Sequence, residues 1–120
     1  MMKDEIKKVI ESSGGKMDNW IPVSERPGRE PFANEANYSF NDLFWGKIHL
    51  RNDGDLYVLI ISKIVFNWKD RRKDLKLNGE IVDAAGGLMW LREYNVDGLK
   101  SDMDYIKNYL NSLKQQQKTS

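Results

Sequence analysis

Few residues in this chain are of a type and spacing that could do chemistry. His49 is its one histidine. In Lys47-Ile48-His49-Leu50-Arg51 polar and apolar residues alternate, so on a strand His49 shares a cationic face with Lys47 and Arg51. Such a face suits a phosphate or carboxylate contact, or a single general base. It equally suits a solvated sheet face. A lone histidine supplies neither a two-histidine acid–base pair nor a multi-histidine metal site, and there is no cysteine to act as nucleophile, thiolate ligand or redox switch. No serine stands in a Gly-x-Ser-x-Gly elbow, and Gly14-Gly15 and Gly86-Gly87 are isolated pairs rather than a phosphate-binding loop. The carboxylate pairs have structural uses: Asp53/Asp55 in a turn, Asp102/Asp104 at a helix start. Neither reaches the ligand number of a calcium loop. The expectation is a non-enzymatic chain with no metal, no cofactor and no small-molecule substrate.

Two segments carry binding chemistry instead. Residues 14–41 hold all three prolines (Pro22, Pro27, Pro31) and read as one long Pro/Asn-rich irregular segment, with a turn at Pro27-Gly28. Trp20, Arg26 and Arg29 are of the types that dominate binding hot spots, and Glu25, Glu30, Glu35 and Asp42 add acidic groups that steer a basic partner. The other reading of this segment is a loop that closes over the sheet and buries its own Trp. The second segment, Lys63 to Lys76, has six basic and two acidic residues, a balance of +4, so the remainder of the +1 chain sums to −3. Trp68, Arg71, Arg72 and Lys73 there combine an aromatic with cations, the makeup of single-strand or loop recognition. Near-neutral overall charge weighs against a dedicated nucleic-acid binder, which makes this the second choice.

The elements that must position these residues can be read from periodicity. Ile6, Val9 and Ile10 predict a helix over residues 3–13, stopped by Gly14-Gly15. Residues 44–69 form the sheet nucleus. Asn52-Asp53-Gly54-Asp55 is a hairpin turn that pairs Arg51 with Leu56 if two residues long, or with Asp55 if three residues long and bulged. Leu56 to Ile61 is apolar on both faces and predicts a central strand covered on both sides. Ile64, Phe66 and Trp68 predict a further strand after a bend at Ser62-Lys63, and Phe44-Trp45 and Trp90 are assigned to the core. Over residues 80–94, Ile81, Ala84, Ala85, Leu88 and Met89 fit a helix capped by Asn78, although Gly86-Gly87 opposes it. A hairpin turning at Asn78-Gly79 competes with that helix. Ser101 to Asp104 has capping-box spacing before the stripe Met103, Ile106, Leu110 and Leu113.

A chain of 120 residues predicts one domain over 1–120, of α+β class: a small, mainly antiparallel sheet with one N-terminal helix and two C-terminal helices packed on it. No apolar run approaches the roughly 20 residues of a membrane span, and residues 1–8 lack the apolar stretch of a signal peptide. Absence of cysteine fits a reducing, cytoplasmic location.

Trp20-Ile21-Pro22-Val23-Ser24-Glu25-Arg26 resembles the opening of a family of short phage and prophage proteins of unknown function. That family continues with Leu-Pro and ends in a Trp-Met-Pro-Leu-Pro type segment; here Pro27-Gly28 follows and no such ending occurs. The resemblance implies a bacterial or phage accessory protein and carries no activity. The expected function is a protein-binding domain, specifically a small bacterial inhibitor or immunity-type protein that occludes the active site of a toxin or enzyme. The alternative is a nucleic-acid-binding accessory protein acting through residues 63–76.

Overall fold

Helix α1 (Met2–Ser12) forms where the apolar spacing requires, and Ile6, Val9 and Ile10 are its buried residues. The helix ends in a Schellman motif. The Gly14 N–H donates to the Glu11 carbonyl at 3.1 Å and the Gly15 N–H to the Ile10 carbonyl at 2.9 Å. Gly14 takes the left-handed φ of +97° that this closure needs. The computed structural model describes residues 2–65, 68–71, 74–83, 88–93 and 96–119.

Residues 14–41 are not one irregular segment. They contain β1 (Lys16–Met17), β2 (Ile21–Val23) and β3 (Ala33–Phe40). In β3 the inward positions are Ala36, Tyr38 and Phe40, and Asn37 and Ser39 alternate with them, so a period of two exists beneath a composition that reads as loop. Pro22 is tolerated because β2 is a short strand paired only to β3, where a missing N–H costs no ladder bond.

Strand β4 (Phe44–Arg51) pairs with β3 through all eight positions and with β5 (Leu56–Ser62) in the register Leu50 to Leu56. Arg51 N–H donates to the Asp55 carbonyl at 2.9 Å, Gly54 N–H returns to the Arg51 carbonyl at 3.0 Å, and Gly54 has φ +102°. The connection is therefore the three-residue bulged turn. After Ser62 the chain bends, and of the strand expected over Ile64 to Trp68, Ile64 and Val65 are not in a strand and Trp68 begins a helical turn, while residues 66–67 lie outside the described residues. Ser62 Oγ takes the Ile64 N–H at 2.9 Å, Ile64 turns into the core, and a single helical turn α2 (Trp68–Arg71) follows.

The helix expected over 80–94 is instead a pair of antiparallel strands, β6 (Glu80–Asp83) and β7 (Leu88–Glu93). β7 pairs with β5 from Leu56 opposite Glu93 to Ile61 opposite Leu88. β5 offers a full edge of backbone donors and acceptors. Satisfying it outweighs a helical pattern already interrupted by Gly86-Gly87. Asn78-Gly79 precedes β6 rather than forming the hairpin turn. Residues 84–87 lie outside the described residues. Helix α3 (Val96–Thr119) begins before the expected cap at Ser101 and carries Leu99, Met103, Ile106, Leu110 and Leu113 into the core.

The class is α+β, with an antiparallel sheet in the order β1-β3-β4-β5-β7-β6 and β2 also on β3. Among the described residues it has one full helix at each end and one helical turn between them, not two C-terminal helices. One sheet face packs on α1 and α3. Tyr38, Phe40, Phe44, Ile48, Leu50, Leu56, Val58 and Ile60 form one buried cluster with the inward residues of both helices. Among the described residues, no helix is long and apolar enough to cross a membrane.

Candidate functional site

The other sheet face is where the sequence put its cationic row. The register aligns Ile21, Glu35, His49 and Tyr57 across β2, β3, β4 and β5. His49 Nδ1–H donates to Glu35 Oε2 at 2.7 Å, and Lys47 Nζ stands 3.5 Å from Glu35 Oε1. The imidazole is walled by Phe32 and Tyr57, at ring-centroid distances of 5.9 and 5.8 Å. Beside it the Arg51 guanidinium lies 5.3 Å from the Phe32 ring centre and 3.9 Å from Asp53. Glu35 is thus committed to a cross-strand ion pair that joins β3 to β4, a pairing worth about 0.2–1 kcal/mol. Its oxygens are not presented to a partner as a bare carboxylate. His49 has an orienting carboxylate, as a general base would, set between aromatic walls.

Farther along the same face stands Trp45. Its place after Phe44 predicts a core residue, but it is 43% exposed, whereas Phe44 is fully buried. The two residues fall on opposite faces because they are neighbours on a strand. The next position, Gly46, explains the local geometry. Tyr38 lies opposite Gly46 and passes its hydroxyl to the Leu59 carbonyl at 2.9 Å. A Cβ on Gly46 would meet that same carbonyl oxygen at 1.8 Å. Burial pushes the Tyr38 phenol well above its ordinary pKa, so it remains a donor.

The β2–β3 connection holds four of the expected partner-binding residues together. Arg26-Pro27-Gly28-Arg29 is a type II turn, with Arg29 N–H donating to the Arg26 carbonyl at 3.2 Å and Gly28 at φ +85°. Ser24 Oγ–H donates to the Arg29 carbonyl at 2.9 Å, and Phe32 N–H to Val23 at 3.0 Å. Asn52, from the β4–β5 turn, ties the far limb down. Its side-chain amide donates to the Pro31 carbonyl at 2.8 Å and its backbone N–H to Phe32 at 2.9 Å. Glu25, Arg26, Arg29 and Glu30 are all exposed on this pinned loop, and none of them forms an ion pair within the described residues.

The remaining expected residues are elsewhere. Trp20 is partly buried and packs against the core. Asp42 sits in the β3–β4 turn and is paired with Lys114 of α3. Eight residues of β3 separate it from the loop, about 25 Å of strand. Of the basic segment, Arg71 is exposed on α2, Trp68 opens that helical turn, and Arg72 and Lys73 lie outside the described residues. Asp102 does not cap α3. It is 1% exposed and accepts hydrogen bonds from Asn78 N–H at 2.8 Å, Asn78 Nδ2 at 3.0 Å and Gly79 N–H at 3.1 Å. Sequence reasoning missed Trp45 as a surface residue; its signal was the strand alternation with buried Phe44.

In comparison with known proteins, the chain matches no family model, no curated protein and no solved structure.

Proposed function

We propose that this protein is a non-enzymatic protein-binding domain, acting as an inhibitor or immunity-type protein that covers the working site of a toxin or enzyme in the cytoplasm. The observation that carries the reading is the pinned β2–β3 loop, which presents Glu25, Arg26, Arg29 and Glu30 outward with no ion pair among the described residues. A loop already held by its own hydrogen bonds loses little conformational freedom on docking, and that is how a small scaffold gains affinity from few contacts. Exposed Ile21 on the adjoining strand supplies apolar area beside the charges. Glu25 and Glu30 are the acidic groups that favour a basic target, while Arg26 and Arg29 suit bidentate contacts with its carboxylates.

The test begins with capture of a partner from the lysate of the source cells by the tagged chain, with and without nuclease. The recovered partner is then titrated against variants. Glu25→Gln with Glu30→Gln should slow association and flatten its salt dependence, and Arg26→Ala with Arg29→Ala should weaken binding at least tenfold. Asp42→Asn, at the far end of β3, should leave binding unchanged. Equal binding by wild type and both loop double variants would overturn the assignment, and a partner whose activity is unaffected when saturated would overturn the inhibitor role.

A further inference from the structure

We infer that the open sheet face around Trp45 is a binding site for single-stranded nucleic acid, with the indole as stacking surface and Lys16, Lys47 and Lys63 as phosphate contacts. This surface lies at the opposite end of β3 from the loop discussed above and stands independently of it. Trp45 is 43% exposed at the edge of a groove of about 430 Å³ whose walls include Lys16, Asp18, Asn37, Ser39 and Lys63. The register places Lys16, Ser39, Trp45 and Ile61 in one row across four strands, with Asn37 and Lys47 in the next. Cations therefore stand on three sides of the ring. Among the described residues Lys16 makes no ion pair and Lys63 makes none either, donating to the neutral Asn41 carbonyl, while Lys47 is shared with Glu35. Among the described residues Asp18 is the one opposing charge in the groove wall.

Charge complementarity and shape select the occupant. An exposed indole offers its face to any base, and lysines around it neutralise phosphates without reading sequence. Asn37 and Ser39 supply adaptable donors and acceptors for base edges. The cations are spread over two strands and a bend rather than converging on one point, which fits successive phosphates of a strand better than the single phosphate cluster of a mononucleotide. A protein partner would be expected to meet a broader apolar centre than Trp45 and its cross-strand neighbour Ile61 set among lysines and amides.

The experiment is fluorescence anisotropy of labelled 12-nucleotide oligo-dT and oligo-U with the full chain, from 20 to 200 mM KCl. Binding should weaken with salt at a log–log slope near 2, about 0.7 for each of three phosphate contacts. Trp45→Ala should weaken binding roughly 5- to 150-fold, the range spanned by one base–aromatic stack, with most of it retained in Trp45→Phe. Lys16→Ala and Lys63→Ala should each lower the slope by about 0.7. Arg71→Ala should change nothing, and circular dichroism should show every variant folded. The proposal fails if no oligonucleotide binds at 20 mM salt, if Trp45→Ala binds as wild type, or if the loss follows Arg71→Ala instead. It also fails if UMP binds as tightly as the 12-mer, if a duplex does so, or if Trp45→Ala impairs only a protein partner.

Discussion

At the residue scale, two positions on the sheet are set by contact rather than by type. Gly46 is needed because the backbone of β5 passes where its side chain would be, and the Tyr38 ring bridges the gap that results. Gly46→Ala should cost more than the ~1–3 kcal/mol of ordinary overpacking, since the obstructing atom is a carbonyl oxygen rather than a flexible side chain. A urea melt would show it as a fallen midpoint with an unchanged slope. Tyr38 itself makes stability depend on alkaline pH. Burial raises its pKa in the folded chain only. From about pH 10, where an ordinary phenol ionises, the unfolded chain therefore releases a proton that the folded chain keeps, and stability falls as pH rises further. Tyr38→Phe should lose about 1 kcal/mol at neutral pH, for one hydrogen bond, and should show a shallower decline above pH 10. Chemical melts of both proteins across pH 7 to 11 would check the sign.

At the scale of elements, legibility followed how much of an element's stability is local. α1 and the stripe of α3 were plain because each makes its own hydrogen bonds and needs only one apolar face. The turn at Asp53-Gly54 was plain, but its length was not, because both lengths satisfy the same residues and only the pairing of Leu50 with Leu56 separates them. The 80–94 segment hides its strands for the opposite reason. Its second strand, β7, completes the edge of β5, a demand set by residues 27 to 37 positions away. The role of Asp102 was hidden likewise. Its spacing from Ser101 imitates a cap, while its partners, Asn78 and Gly79, are distant in sequence. That carboxylate fixes the 78–79 turn, and hence the entry to β6, against α3. Asp102→Ala should strand two backbone donors and cost about 3 kcal/mol. The loss should appear in thermal melts and as faster amide exchange through residues 78 to 83 before it appears elsewhere.

At the scale of the whole molecule, the sheet separates two surfaces. The charged loop lies beyond one end of β3 and the Trp45 groove beside the other, with the Glu35–His49 pair between them. Four of the seven expected partner-binding residues, Glu25, Arg26, Arg29 and Glu30, come together on that loop. Trp20, Glu35 and Asp42 are drawn off to the core, to His49 and to Lys114. Composition could nominate all seven, but only pairing decides which remain unengaged. The same architecture makes the first helix depend on the last. α1 packs against α3, and Lys107 Nζ donates to the Ser13 carbonyl at 2.8 Å across 94 positions of sequence. On a ribosome adding roughly 5–20 residues per second, that partner arrives about 5–20 s after Ser13 has been made. For that interval Ile6, Val9 and Ile10 have no cover from the chain's own C-terminal helix. During synthesis α1 is therefore an amphipathic helix with an uncovered apolar face, and closing the core waits on a segment made about a hundred residues later.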